Sequence, residues 1–126
     1  MNEIIYPELS YKICGSLFYV HNKLGRFRKE KEYADALEIV FKESKIPYER
    51  EFRIDNEILD QKFSLYRFDF IVDDKLIIEL KSRAIVSKDD YYQFKRYLQA
   101  KKLKLGLLVN FRDKYLKPKR ILNSYS

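Results

Sequence analysis

The stretch FDFIVDDKLIIELK, residues 68–81, decides how this chain folds. Two apolar runs rich in β-branched and aromatic residues flank a polar Asp-Asp-Lys segment, which predicts a β-hairpin. Charged residues lie near the far ends of both strands, Asp69 in the first and Glu79 and Lys81 in the second. Alternate residues of a strand share a face, so Glu79 and Lys81 point the same way as Ile77. Because both faces are otherwise largely apolar, at least one of these two charges is expected to be partly buried.

The length of the hairpin loop determines whether the charges meet. With a two-residue Asp-Asp loop, Asp69 and Glu79 fall on opposite faces of the sheet and form no site. With a three-residue Asp-Asp-Lys loop, Asp69 lies directly opposite Glu79 with the two β-carbons about 5 Å apart. In that register Arg67 lies opposite Lys81. The sequence leaves both registers open.

Two opposed carboxylates would require an explanation, because like charges directly opposite one another destabilise a sheet. Such a pair persists when a cation bridges it or when one member is protonated. Oxygen ligands without thiolate or imidazole favour Mg²⁺ or Mn²⁺ and disfavour zinc. The alternative is an ion-pair lattice of Asp69, Glu79, Arg67 and Lys81 on a solvated sheet, with no chemistry.

The remaining sequence predicts the order helix, helix, three strands, helix, strand. Apolar residues recur at the 3.6-residue spacing over residues 7–24, where Gly25 follows as a stop, and over residues 30–44. Ser87 is placed as the N-cap of a third helix that runs to about Lys102. The predicted strands are residues 48–54, 62–72 and 76–82, forming an antiparallel meander, and 105–111, which a basic tail at 114–120 follows.

Composition favours one globular domain with a polyanionic partner. The chain has 126 residues, of which 46% are hydrophobic, enough for a single core, and we expect one domain over residues 1–126. Its formal charge of +7 favours nucleic acid, since lysine and arginine release counterions from phosphates. The alternative is a solvated basic protein without such a partner.

Cysteine usage and hydropathy suggest a cytoplasmic protein. Cys14 is the single cysteine, so no internal disulfide can form, and no zinc-type Cys/His spacing occurs. No segment approaches the roughly 20 apolar residues of a membrane span, and we expect no membrane association. The N-terminal sequence has no basic segment followed by an apolar run, and no export is expected.

Three further residues extend the candidate site. Glu30 continues the apolar stripe of the second helix by one turn and is therefore expected to face inward, although a carboxylate at a helix start is also favoured by the macrodipole. Gln93 and Tyr97 are four residues apart and share a stripe beside the core face of the third helix. Taken alone, the two residues are better explained as a surface glutamine and a half-buried tyrosine than as part of a site.

Basic and aromatic residues of the third helix form a second candidate feature. Lys88, Lys95 and Arg96, with the basic tail, are placed to track phosphates, and Tyr91 and Tyr92 to stack on bases. The alternative is a solvated helix face with two core tyrosines.

Together these features resemble the GxxExxY proteins, a compact bacterial family of the PD-(D/E)XK nuclease superfamily, over nearly the whole chain. Phe27 stands where the family has the glycine of its name, and Asp90 where a histidine often lies. The matching motifs are the end of the first helix (20–25), ExxY (30–33), R-x-D (67–69), E-x-K (79–81), the QxxxY of RecB-like nucleases (93–97) and the last core strand (103–111).

The resemblance implies a restriction-endonuclease-like α/β fold, with an αβββαβ core, a mixed sheet flanked by helices and an extra N-terminal helix. It implies that Asp69, Glu79 and Glu30 bind Mg²⁺ or Mn²⁺, together with the backbone carbonyl of Leu80. Lys81 would orient or activate the attacking water, so Asp69, Glu79 and Lys81 form the catalytic set. Gln93 and Tyr97 would support the site or contact nucleic acid.

Three functions compete. The first is a metal-dependent nuclease that hydrolyses phosphodiester bonds, with DNA preferred to RNA as substrate. The second is a catalytically silent nucleic-acid-binding module of the same fold. The third is a protein-interaction module, including a homodimer, that uses the tyrosine-rich surface and requires an exposed apolar patch.

Overall fold

Helices cover both faces of a five-stranded sheet in residues 5–123, which are the part of the chain that the computed structural model describes. The helices are α1 (Pro7–Leu24), α2 (Glu30–Glu43) and α3 (Lys88–Lys101). The strands are β1 (Tyr48–Ile58), β2 (Gln61–Val72), β3 (Leu76–Lys81), β4 (Leu105–Asn110) and β5 (Lys119–Leu122).

The strands lie in the order β1-β2-β3-β4-β5 across the sheet. β1, β2 and β3 form the predicted antiparallel meander, and β5 is antiparallel to β4. β3 and β4 are parallel, because the chain returns through α3 before it enters β4. The predicted α/β class, a mixed sheet flanked by helices with an additional helix at the N-terminus, is confirmed.

Two hydrophobic cores hold the layers together, one on each face of the sheet. On the first face, α1 and α2 bury residues such as Leu17 and Phe41 against Ile78. On the second face, α3 buries Phe94 and Leu98 against Ile77 of β3 and Leu108 of β4. β3 lies between the two cores, which explains why its sequence is apolar on both faces.

The helix boundaries follow the sequence signals closely. α1 starts with Pro7 in its first turn and ends before Gly25, which has a φ of 77°. Ser87 caps α3 as predicted: its Oγ accepts a hydrogen bond from the Asp90 N–H, and the Asp90 carboxylate accepts one from the Ser87 N–H. This reciprocal pair is a capping box, and it fixes where α3 begins.

The end of the chain differs from the prediction. The basic tail is not wholly irregular, since Lys119–Leu122 forms the edge strand β5 beside β4. Ile121 is the buried residue of these four, so the strand is too short and too basic for a period of two to stand out. β1 also continues past its predicted end at residue 54, as far as Ile58.

Within residues 5–123, no helix is both long enough and apolar enough to cross a membrane.

A close approach between α3 and β4 depends on Gly106. A β-carbon at this position would overlap ring atoms Cε1 and Cζ of Phe94 and would lie 3.3 Å from Cδ2 of Leu98. Phe94 is 1% exposed, so its ring has no space into which to move. The absence of a side chain at Gly106 therefore sets the distance at which α3 lies over the sheet.

We expect Gly106→Ala to lower the free energy of unfolding by about 1–3 kcal/mol, because the added methyl group overpacks this contact. The control is Gly15→Ala in α1, where a β-carbon meets nothing within 4 Å. That substitution should raise the free energy of unfolding by about 0.5–1 kcal/mol, because alanine favours the helix. Urea unfolding of both variants measures the difference, and equal stability would show that α3 is not held by this contact.

Candidate active site

The β2–β3 turn sets the register that brings the acidic residues together. Asp73 and Asp74 both have positive φ, 53° and 54°, and the Lys75 N–H donates to the Val72 carbonyl at 3.0 Å. Val72 pairs with Leu76, so the loop has three residues. The three-residue alternative from the sequence is thus the observed one, and the two-residue alternative is wrong.

Asp69 lies where the ladder between β2 and β3 stops. The last pair of the ladder is Phe70 with Ile78, and Asp69 and Glu79 are the next residues on the two strands. Beyond this pair, the Leu80 N–H donates to Oδ2 of Asp69 at 2.6 Å. A side-chain carboxylate therefore takes the place of a strand carbonyl as acceptor, and this bond fixes the orientation of Asp69.

Glu79 is partly buried and hydrogen-bonded to Asp69. Burial raises the pKa of Glu79 to about 9, with further contributions from the hydrogen bond to Asp69 and the negative charge of Asp69. The charge of Glu30 acts in the same direction, whereas Lys81 opposes the shift. In the absence of a cation, Glu79 therefore holds a proton at neutral pH.

Lys81 lies on the same strand face as Glu79 and reaches towards the start of α3. Its Nζ is 4.0 Å from Oδ1 of Asp90, and the two side chains are 16% and 12% exposed. Arg83 also pairs with this carboxylate, at 3.3 Å. Burial acts to raise the pKa of Asp90, but hydrogen bonds from Ser87 and the charges of Arg83 and Lys81 hold it below its usual range. Asp90 is thus an anion that faces Lys81.

Asp90 was not predicted from the sequence to belong to the site, and it stands where a histidine often lies in the GxxExxY family. The capping box between Ser87 and Asp90 was the available signal, because it orients the Asp90 side chain back over the start of α3. Its proximity to Lys81 depends on how α3 lies on the sheet, which the local sequence does not encode.

Glu30 and the pair Gln93/Tyr97 are placed differently from one another. Glu30 is the first residue of α2 and is exposed, so the expectation that it faces the core is wrong. It nevertheless lies close enough to act on Glu79 through its charge.

Gln93 is exposed, whereas Tyr97 is 6% exposed and packs edge-on against Phe68 with ring centroids 4.4 Å apart. The two residues therefore do not present a common polar surface.

The alternative of a solvated ion-pair lattice does not form. Arg67 pairs with Glu51 at 3.7 Å on the exposed side of the β1–β2 ribbon. In the described part of the chain, neither Asp69 nor Glu79 has a lysine or arginine nitrogen within 4.0 Å. Their negative charge is therefore balanced by a proton on Glu79, or by a cation that takes its place.

The carboxylate pair matches the way in which proteins bind Mg²⁺. Within residues 5–123, no group of three or more His, Cys, Asp and Glu side chains could hold an ion unaided. Mg²⁺ keeps several waters and is commonly held by one or two carboxylates together with substrate phosphates. Asp69 and Glu79 supply two such groups. Because the N–H and C=O of a strand residue face the same neighbour, the Leu80 carbonyl also points to this side.

A mixed sheet that carries an aspartate on one strand and E-x-K on the next, with helices on both faces, defines a restriction-endonuclease-like domain. The sequence model of the PD-(D/E)XK nuclease superfamily matches residues 7–121, and the chain belongs to this superfamily. No curated protein and no solved structure is significantly similar to the chain. Membership implies a nucleic acid substrate and a divalent metal ion.

In metal-free protein, we expect the free energy of unfolding to fall as the pH rises from about 4.5, the ordinary pKa of glutamate, towards about 9. Over this range the folded state keeps a proton on Glu79 that the unfolded state has released, so a higher pH favours unfolding. Urea unfolding over this pH range measures the slope. Glu79→Gln should remove the part of the pH slope that Glu79 causes. Glu57→Gln, at an exposed site on β1, should keep the slope of wild type. Identical profiles for wild type and Glu79→Gln would contradict the assignment.

Proposed function

We propose that the protein is a Mg²⁺- or Mn²⁺-dependent nuclease that hydrolyses phosphodiester bonds, with DNA preferred to RNA. The observation that carries this proposal is the opposed pair of Asp69 and Glu79 with Lys81 on the same strand face as Glu79. Asp69 and Glu79 would bind the ion, with the Leu80 carbonyl as a further oxygen ligand. The proposal treats residues 1–126 as one nuclease-like domain.

A bound Mg²⁺ or Mn²⁺ would supply Lewis-acid polarisation of the phosphate and would lower the pKa of water at the site. Lys81 contributes a fixed positive charge beside the position of the scissile phosphate. Its ammonium group would orient the attacking water and stabilise the negative charge that develops on the phosphate oxygens. Asp90 limits the motion of Lys81 from the other side, because the two groups attract one another across 4.0 Å.

Glu30 would act on the bound ion from the exposed side of the site. Its position depends on Tyr33, whose hydroxyl donates to the Gly25 carbonyl and accepts from the Arg28 N–H. The buried Tyr33 ring also stacks on Phe111, with centroids 4.1 Å apart. These contacts hold the turn between α1 and α2, and hence the start of α2. They give the tyrosine of the ExxY motif a structural role, which supports assignment to the GxxExxY family.

The basic character of the chain supports a nucleic acid substrate. A formal charge of +7 favours association with a polyanion at low ionic strength. The RecB-like subtype is also part of the proposal, with Tyr97 as a packing residue below the site and Gln93 on its exposed side. In this arrangement Gln93 is available to a bound strand, and Tyr97 supports α3 against β2.

We expect cleavage of labelled DNA to require Mg²⁺ or Mn²⁺ and to fall by roughly 100- to 1,000-fold in Lys81→Ala, because that substitution removes a charge that acts on the transition state. The matched control is Lys75→Ala, at the opposite end of β3, where the side chain is 51% exposed. That variant should cleave like wild type.

Filter binding of the same DNA separates chemistry from association. Binding that survives Lys81→Ala while cleavage is lost assigns Lys81 to the reaction. Absence of cleavage by wild type with either ion, accompanied by salt-sensitive binding that Lys81→Ala leaves unchanged, would replace the nuclease with the silent nucleic-acid-binding module.

A further inference from the structure

A cavity of about 410 Å³ opens on the side of the sheet that α3 covers. It lies between the first turn of α3 and the strands β4 and β5. Its volume falls in the range of sites that hold small organic ligands, roughly 300–1,000 Å³. The lining residues that matter here are Lys88, Tyr91, Tyr92, Asn110, Lys117 and Lys119.

The cavity adjoins the candidate active site through the pairing of β3 with β4. Leu108, at the cavity floor, pairs with Glu79, and Asn110 pairs with Lys81. Adjacent strands are about 4.8 Å apart, and paired residues face the same side of the sheet. A strand of nucleic acid with one phosphate at Glu79 and Lys81 would therefore bring its neighbouring nucleotide to the cavity.

The charge around the cavity suits a phosphate backbone. Lys88, Lys117 and Lys119 are exposed, and in residues 5–123 none of them forms an ion pair within 4.0 Å. Asp113 contributes a carboxylate to the same lining, which leaves an excess of positive charge. Ammonium groups that are not paired with a carboxylate are available to neutralise phosphates.

The two tyrosines of the lining differ in how accessible their rings are. Tyr91 packs against the α3 core, and Nζ of Lys119 lies 4.5 Å from the centre of its ring. Tyr92 meets Tyr91 edge-on at 5.5 Å and is 55% exposed. Tyr91 covers at most one face of the Tyr92 ring, which leaves the other face available to a planar group. An exposed aromatic ring beside lysines that have no carboxylate partner is the combination that binds single-stranded nucleic acid.

Asn110 forms the wall of the cavity towards Lys81, and both its side-chain nitrogen and its side-chain oxygen form hydrogen bonds. Its amide N–H donates to the Arg83 carbonyl at 2.8 Å, and its Oδ1 accepts from the backbone N–H groups of Arg83 and Arg112. These bonds tie the end of β4 to the segment after β3. The wall is therefore held in place and does not need to form when a ligand enters.

We propose that this cavity binds an unpaired nucleotide next to the scissile phosphate, with its base stacked on Tyr92, and that the substrate is single-stranded nucleic acid. The proposal rests on the nuclease function proposed above and names its substrate class. A base within a duplex already stacks on both neighbours, so it can reach Tyr92 only after leaving the stack. The lysines hold the backbone, and the tyrosine selects against paired bases.

The test is fluorescence anisotropy with a short labelled single-stranded DNA, the same sequence as RNA, and the corresponding DNA duplex. Metal is removed by a chelator, so that binding is measured without cleavage. The variants are Tyr92→Leu, which removes the ring, and Tyr92→Phe, which keeps it. Tyr19→Leu is the matched control, since Tyr19 is 54% exposed, lies on α1 and has Lys23 beside its ring.

We expect Tyr92→Leu to weaken binding of the single strand by about five-fold or more, the effect of losing one base–aromatic stack. Tyr92→Phe and Tyr19→Leu should bind it like wild type, and duplex binding should be the same for all proteins. If Tyr92→Leu loses the same affinity for single-stranded DNA and RNA, the site recognises the base. If it loses affinity for one of the two, the site recognises the base and also distinguishes the sugar.

Unchanged single-strand binding by Tyr92→Leu, or an equal loss for duplex and single strand, would overturn the proposal. A parallel cleavage assay of wild type with Mg²⁺ and Mn²⁺ keeps the two hypotheses apart. If the nuclease hypothesis is wrong, wild type will not cleave with either ion. If the cavity hypothesis is wrong, Tyr92→Leu will bind the single strand as tightly as wild type does.

Discussion

The opposition of Asp69 and Glu79 is the constraint on which the rest of the site depends. Two carboxylates that face each other on a partly buried sheet are unstable as a pair of anions, so a proton or a cation must lie between them. The chain fixes Asp69 with the Leu80 N–H and keeps Glu79 partly buried. This arrangement therefore destabilises the folded state, and the destabilisation is smaller when a divalent ion replaces the proton.

The position of α3 determines what surrounds this pair. Gly106 lets the helix lie close on β4, and the capping box of Ser87 and Asp90 fixes its first residue. One side of the helix start then places Asp90 against Lys81, and the adjacent side carries Tyr92 to the cavity. The packing of α3 on β4 therefore determines both the contact that Lys81 makes with Asp90 and the surface that would meet the neighbouring nucleotide.

Elements with strong local signals could be predicted from the sequence. Helical periodicity located α1 and α2, and the N-cap Ser87 located α3. The D and E-x-K residues of the central hairpin could be selected from the sequence as the candidate site. The hairpin register could not be decided, because an Asp-Asp turn without glycine gives no clear preference for two positive φ values. The observed pairing of Val72 with Leu76 resolves it.

Features that depend on tertiary packing were not predictable. Glu30 continues an apolar stripe by its spacing, yet the helix begins at that residue, where the side chain is beyond the edge of the core. Asp90 acquires its contact with Lys81 only through the placement of α3. β5 is a short, basic edge strand with a single buried side chain, Ile121, among its four residues, and such a segment has no periodicity to detect.

Calorimetric titration of Mn²⁺ into the protein, at neutral pH in buffers of different ionisation enthalpy, tests most directly whether Asp69 and Glu79 hold a cation. The account predicts binding with release of about one proton per ion, because the cation displaces the proton that Glu79 holds. Asp69→Asn should lose most of this binding. Mn²⁺ binding without proton release, or binding that Asp69→Asn leaves intact, would contradict the account.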